Sequence, residues 1–513
     1  MEKPLKANKT PGFLYYLFPS LGAMLWVAAF IGVLTKGSQM INADGDLALH
    51  IAVGEYILEN RTVPLNDVFS HTMPGEPYTP HEWLAEVVVA LAHRLMGLDG
   101  TVLLTGLVIA TAFWLVHKRN QLTSHSFLTL LLVGALALLT SANHWLDRPH
   151  IFTFLFLALW LTVVEAMRRG RVKLAWLLPL LMLPWVNLHG GYMTGLITWA
   201  LYGLGLVWDG YLFKTSDWVA LPVKFWRYYL AGGAASLLVT LLNPSGIGLW
   251  KTNLGFLASD FMVNHLDEYK SPDFHDFTYW PFLVCILLLL LGFGLGKKKA
   301  RAEWLFPALA WMAMALYSAR NIPLFVIVAA PLLALTLQDL ITQYSETKLV
   351  RWLTRVDGNF SQLDASMKGG LWPVLVVVLS VIGLSAGVRF DKQRIGNNFD
   401  PQLFPVEAVT WLEDHPQSGE VFNYYTWGGY LLYRDQSVYK VFIDGKIDFY
   451  GEELAREYLR VISTEPGWES ILDEHGVDWA LLPVEEKAAQ LLAASADWTV
   501  VYQDATALIV HRK

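Results

Sequence analysis

The apolar residues of this chain are gathered into blocks of about 17 to 23, each long enough to cross a hydrocarbon core as a helix. Such blocks fall near residues 13–35, 100–117, 126–143, 151–167, 173–188, 191–212, 228–243, 277–296, 303–319, 322–341 and 371–388, which predicts about eleven spans. Between them the cations are not spread evenly. His117-Lys118-Arg119, the Arg168 to Lys173 run, Lys214 to Arg227, Lys297 to Arg301 and Lys348 to Lys368 fall at alternate junctions, and the N-terminus with Lys3, Lys6 and Lys9 joins them. Basic residues stay on the cytoplasmic side of membrane helices, so these junctions read as cytoplasmic and the others as external. The N-terminal lysines ahead of an apolar stretch resemble a signal peptide. The stretch is long and has no small-x-small site, so an uncleaved first helix is expected.

With 54% hydrophobic and 16% charged residues, a membrane class fits and a soluble one does not. The net charge of −7 has no basic stripe behind it, so no nucleic-acid partner is expected. One cysteine, Cys285, excludes intrachain disulfides and cysteine-rich metal sites. The first external loop, residues 40–83, carries apolar residues at helical spacing over 46–59, and 81–97 reads as a second helix. Its charges (Glu82, Glu86, His93, Arg94) argue against crossing, so both are expected to lie along the membrane surface. Residues 1–395 thus form a transmembrane domain. Residues 400–513 read as an extracytoplasmic α/β domain: helices at 405–415, 451–463, 468–475 and 484–494, strands at 420–424, 439–443 and 477–482, and a hairpin of 498–502 with 505–510.

Chemistry concentrates just after the first span, in Asn42-Ala43-Asp44-Gly45-Asp46-Leu47-Ala48-Leu49-His50. Two carboxylates two residues apart can hold a divalent cation, or leave one anion to accept a proton. They can equally cap the following helix. Polar residues recur at the external ends of distant spans: Asn143, His144, Asp147, Arg148, His150, Asn187, His189, Asn243, Asp267, Glu268, Arg320 and Asn321. Together they would line one face. Each also has a plainer reading. Asp147 and Arg148 can pair with each other, His189 can be a satisfied interfacial residue, and Asn243-Pro244-Ser245-Gly246 can be a turn closing a helix. Arg320, an external cation against the charge bias, needs an anionic partner such as phosphate. In the tail, Trp427-Gly428-Gly429-Tyr430 and Asp444-Gly445-Lys446 offer either a sugar platform or a tight turn whose glycines take positive φ.

The order of first span, Asp44-Gly45-Asp46, amphipathic helix, Pro64, Asp67, His81-Glu82-Trp83-Leu84, Gly97 and second span resembles the GT-C superfamily of membrane glycosyltransferases. That superfamily includes protein O-mannosyltransferases, the lipid A aminoarabinose transferase and the catalytic subunit of oligosaccharyltransferase. The chain is also similar, end to end, to a bacterial group of GT-C-like proteins, through Arg148-Pro149-His150, Trp185 to Gly191, Leu242-Asn243-Pro244, Ser271 to Phe274, Arg320 to Pro323, Phe422-Asn423, Trp427 to Tyr430 and Val441 to Lys446. The resemblance implies a polyprenyl-phosphate-linked sugar donor and an inverting transfer at the extracytoplasmic face of a bacterial plasma membrane. It carries the base to Asp44, with Asp46 as second carboxylate, and suggests Mg or Mn at the pair. Substrate contacts are expected from His50, His81, Glu82, Arg148, His150, His189, Asn243, Glu268, Arg320 and Asn321. The acceptor, whether protein, lipid or polysaccharide, stays open. The tail lacks the Trp-Trp-Asp-like motif of oligosaccharyltransferases, so an Asn-linked product is not expected. Alternative readings are a transporter or lipid flippase and a non-catalytic envelope assembly protein. A reporter fused after Lys513 should register the non-cytoplasmic side, and a cytoplasmic signal would overturn the alternation of the basic clusters.

Overall fold

A computed structural model describes residues 14–212, 221–257, 269–367, 369–387, 389–390, 393–394, 396–435 and 437–513. The N-terminal lysines and Lys214 lie outside these residues. The main helices are α1 (Leu21–Ile41), α2 (Asp46–Asn60), α3 (Trp83–Met96), α4 (Leu98–Asn120), α5 (Phe127–Ser141), α6 (His150–Arg168), α7 (Leu177–Leu188), α8 (Tyr192–Val207), α9 (Val223–Val239) and α10 (Gly248–Leu257). They continue as α11 (Trp280–Leu295), α12 (Ala302–Tyr317), α13 (Ile322–Gln343), α14 (Lys348–Ala365) and α15 (Leu371–Ser385). Helices overlap the apolar blocks, but they do not establish eleven spans. By length and composition six described segments suffice to cross a membrane, the others being shortened by 3-10 or π turns or by an early stop.

Helices are the expected solution, because a chain in hydrocarbon must satisfy its backbone polar groups internally. α13 is the axis of the bundle: every residue from Ile322 to Ala334 is buried, with α12 and α5 packed along it and α1 against α4. On α11 the reverse holds, and Val284, Leu287, Leu290, Leu291 and Phe293 stand exposed, a surface suited to lipid and not to water. Interhelical hydrogen bonds such as Trp311 to Thr198 (2.8 Å) and Tyr202 to Glu165 (2.8 Å) add about 0.6–2 kcal/mol each. Helix ends gather in two groups. Junctions expected to be external meet at one end, where Arg148 reaches Asp44 and His189 faces Glu82. The basic junctions meet at the other, where Arg168 pairs with Glu303 at 3.0 Å and Ser126 bonds Asp357 at 3.0 Å.

The C-terminal region holds α16 (Val406–Asp414), α17 (Tyr425–Asp435), α18 (Ile447–Ile462), α19 (Trp468–Glu474) and α20 (Lys487–Ala494), with β1 (Glu420–Asn423), β2 (Val477–Pro483), β3 (Trp498–Gln503) and β4 (Ala507–Arg512) in the order β1-β2-β4-β3. β1 runs parallel to β2 and the other pairs are antiparallel. Two expectations are corrected here. The strand expected at 439–443 does not join the sheet. Val441 exchanges backbone hydrogen bonds with Phe69 and His71 of the first loop, while the buried Asn423 side chain bonds Phe442 N–H and the Ile443 carbonyl in place of a neighbouring strand. The glycines of Trp427 to Tyr430 also make no turn. They lie inside α17 and neither has a positive φ; Gly429 lets it approach the start of α2 backbone to backbone, and Gly428 lets it approach the Ile443 carbonyl.

A Cβ on Gly429 would stand 2.7 Å from the Gly45 carbonyl oxygen and 2.8 Å from the Leu49 Cβ. Gly429→Val should therefore lower the thermal unfolding midpoint of the detergent-solubilised protein, at a cost of about 1–3 kcal/mol typical of overpacking. An unchanged midpoint would contradict this close approach.

Candidate active site

The site begins where α1 ends. Asn42 donates to the carbonyls of Ser38 and Asn398 and accepts from the Asp400 N–H, which fixes the exit of the helix against the C-terminal region. Asp44 then accepts the Asp46 N–H at 2.9 Å, while the N-cap position of α2 falls to Gly45 and no side chain caps it. The same pair does more. Arg148, from the turn that starts α6, reaches Asp44 Oδ2 and lies 3.1 Å from Asp46 Oδ2, so one guanidinium bridges both carboxylates. Its neighbour Asp147 does not pair with it; that carboxylate is buried and accepts from Thr105 at 2.6 Å.

His50 lies one helical turn beyond Asp46, on the same face of α2. Its ring sits between Glu86 (3.6 Å) and Glu82 (3.9 Å), which are themselves one turn apart on α3. Glu82 also faces His81 at 3.9 Å and His189 at 3.5 Å. The His189 Nδ1 accepts the Gly191 N–H at 2.9 Å, so the proton of the neutral ring resides on Nε2 and points at Glu82. His150 bonds the His144 carbonyl at 3.0 Å and packs its ring 4.5 Å from that of His144 and 6.4 Å from that of His189.

The C-terminal region closes this array with Asp444 to Asp448. Gly445 leaves no room for a Cβ, which would stand 2.2 Å from Asp46 Oδ1. Lys446 places its ammonium 3.8 Å from Glu86 and over the Tyr78 ring, and Asp448 lies 3.9 Å from His81. Glu86, Lys446 and Asp448 were not among the site residues chosen from sequence. Glu86 had a signal there, a carboxylate one turn from Glu82 on an otherwise apolar helix. Lys446 had one as well, in the Asp444-Gly445-Lys446 segment, but only tertiary packing brings it and Asp448, residues about 400 positions away, onto the first loop.

Burial opposes charge on Glu86, but Lys446, His50 and His81 outweigh it and lower its pKa. Burial likewise opposes protonation of His50, which Glu86, Glu82 and Asp46 overcome, and its pKa is raised. His81 is raised against burial by Glu82 and Asp448. His189 is pushed well below the ordinary value by burial and by the neighbouring His150 and Arg320. Arg320 donates a hydrogen bond to Tyr269 and stands 4.4 Å over its ring.

Other expected contacts are local. Asn243 bonds the Thr240 and Gly246 carbonyls and accepts from Ser245 N–H, which closes a turn. The Asn321 amide lies against the Met314 and Ser318 carbonyls at the end of α12. Asp267 and Glu268 lie outside the described residues. Beside the array a groove of about 640 Å³ runs between Trp83, Leu84, Leu183, Pro184, Leu241, Leu242 and Pro244, with Asn187 tying Trp83 to the Leu242 carbonyl. Among the described residues no group of three or more His, Cys, Asp or Glu has the arrangement of a metal site.

No family model matches this sequence, and no curated protein is significantly similar to it. Solved structures share its fold. The Archaeoglobus fulgidus oligosaccharyltransferase in the apo form aligns with a TM-score of 0.57 at 11% identity, over 91% of this chain and 70% of that one. The same enzyme in complex with Zn and sulfate gives 0.54 at 10% identity, over 91% and 67%. ArnT from Cupriavidus metallidurans bound to undecaprenyl phosphate gives 0.51 at 14% identity, over 95% and 97%. The architecture is thus GT-C-like, as the resemblance implied.

The paired shifts set a pH window. His50, raised above 6.5, stabilises the fold fully below 6.5 and loses that contribution as pH rises through its folded value. Glu86, lowered below 4.5, contributes above 4.5 and loses its part as pH falls through its folded value. The pair is therefore most stabilising between these two ordinary values. Glu86→Gln should remove the raised titration of His50, so the loss of thermal stability on going from about pH 6 to 8 should shrink or move to lower pH. Superimposable pH profiles for wild type and variant would contradict the coupling.

Proposed function

We propose that this protein transfers a sugar from a polyprenyl-phosphate-linked donor to an acceptor, with inversion, and that Asp44 is the base. The observation that carries the reading is the carboxylate pair at the bundle end, bridged by one arginine and linked through His50 and Glu82 to the apolar groove at Trp83. Inversion needs a single displacement at the anomeric carbon. The acceptor hydroxyl attacks, its proton passes to Asp44, and the bond from the anomeric carbon to the phosphate oxygen breaks. The polyprenyl phosphate leaves as an anion.

Each part has a place. The groove along Trp83, Leu183 and Leu242 suits an isoprenoid chain, and its lining residues Trp83 and Asn187 lie one and two positions along the chain from Glu82 and His189. Arg320, with His81 and His50 inclined to protonation, supplies positive charge for the departing phosphate. Undecaprenyl phosphate in the similarly folded ArnT supports a lipid phosphate as donor. The carboxylate pair fits a divalent cation poorly. Asp44 Oδ2 and Asp46 Oδ2 both face Arg148 and Asp44 Oδ1 accepts a backbone N–H, so a cation there would compete with the guanidinium for the same oxygens. No step is routed through a metal.

In this reading residues 1–395 are the catalytic membrane domain, and 400–513 form an extracytoplasmic domain that covers the site. The N-terminus is cytoplasmic, in a bacterial plasma membrane.

Organic extraction of the purified protein followed by mass spectrometry should yield a polyprenyl phosphate or its sugar ester, retained less by Arg320→Gln. Asp44→Asn should keep the lipid and lower transfer by about 10²–10⁴-fold, the usual contribution of a general base. Undiminished transfer by correctly inserted Asp44→Asn would remove Asp44 from the mechanism.

A further inference from the structure

Far from the carboxylates, at the other end of the bundle, α14 carries three separate stripes. At 100° per residue, Leu349, Trp352, Val356, Phe360 and Leu363 fall within an arc of about 80°. Four of them are exposed: Leu349 by 66%, Trp352 by 58%, Phe360 by 45% and Leu363 by 51%. Along one side of this stripe run Lys348, Arg351 and Arg355, of which Arg351 pairs with the exposed Glu346 at 3.2 Å. Along the other run Asp357, Ser361 and Asp364, and these face the protein.

The inward stripe grips two membrane helices by their first residues. Asp364 accepts the Leu21 N–H that opens α1, at 2.5 Å. Asp357 accepts the Leu128 N–H at 2.8 Å and Ser361 the Phe127 N–H at 3.0 Å, both at the start of α5. These are the orphan donors of a helix N-terminus, and carboxylates there also complement the helix dipole. With this stripe fixed, the rotation of α14 is fixed, and the apolar stripe has to point sideways.

We propose that α14 is an in-plane membrane helix whose apolar stripe sits in the acyl boundary of the bilayer and whose three cations bind anionic phospholipid headgroups. Two observations identify a bilayer as the occupant. α14 is joined on one side to α13 and on the other to α15, a helix with no buried residue and with Val374, Val378, Leu379 and Ile382 exposed, so the stripe continues a lipid-facing surface. The cations flank the apolar stripe along its length, the pattern of interfacial helices. The inference is independent of the sugar-transfer reading, since none of its residues lies at that site.

The test uses the full chain in a Cys285→Ala background, spin-labelled singly at Trp352→Cys, Leu363→Cys or Thr354→Cys. The protein is reconstituted in phosphatidylcholine vesicles with about one-third phosphatidylglycerol. Labels at 352 and 363 should collide with oxygen more than with a water-soluble nickel chelate, and the label at 354 the reverse. Equal chelate access at all three positions would overturn the in-plane placement. Lys348→Gln/Arg351→Gln/Arg355→Gln, all at exposed positions, should lose much of the contrast at 352 and 363, as should vesicles of phosphatidylcholine alone. A contrast unchanged by both would overturn the anionic-headgroup part. An unaltered unfolding midpoint in detergent confirms that the triple variant is folded.

Discussion

One guanidinium between two carboxylates organises this molecule. Arg148 stands before α6 and the aspartates after α1, so the contact ties the outer ends of two helices that are distant in sequence. Two anions this close would repel, and the shared cation offsets that repulsion with a planar fork that fixes their spacing. Removing it would leave two uncompensated carboxylates, which costs far more than the loss of a surface ion pair.

From that pair the charge pattern spreads in an ordered way. Asp46 acts on His50, His50 lies between Glu82 and Glu86, and Glu82 meets the rings of His81 and His189. Lys446 and Asp448 complete the balance from the C-terminal region, and without Lys446 the buried Glu86 would lose its largest opposing charge. The region is therefore a wall of the site and not a separate appendage. Its attachment relies on small residues: Gly45 and Gly429 allow α2 and α17 to meet at backbone distance, and buried Asn423 satisfies the segment that leads to Lys446.

The same helix bundle is anchored differently at its two ends. The end that carries Asp44 and Asp46 is dense in histidines and carboxylates that act on one another. The opposite end is pinned by helix capping, with Asp357, Ser361 and Asp364 of α14 holding the starts of α1 and α5. α1 runs between the two, from Leu21 on α14 to the loop of Asp44, so the position of the carboxylates is referred to a fixed point across the bundle.

Hydrophobic block length and the alternation of basic clusters determined where the helices stand and which junctions share an end, because both depend on composition over a window and not on any partner. The amphipathic helices 46–60 and 83–96 were legible for the same reason. Asp44, Asp46 and His50 were legible as a group through local spacing. What sequence left open was every pairing across the chain. It offered Asp147 as a partner for Arg148, but the guanidinium found the aspartates of the first loop; it read 439–443 as a strand, but those backbone groups bond Asn423 and the first loop; it offered a turn at Gly428 and Gly429, but both lie in a helix, where Gly429 admits α2 and Gly428 the Ile443 carbonyl. A side chain's partner is set by which surfaces pack together, and that decision belongs to the tertiary structure, where burial makes an unpaired charge or N–H too costly to leave.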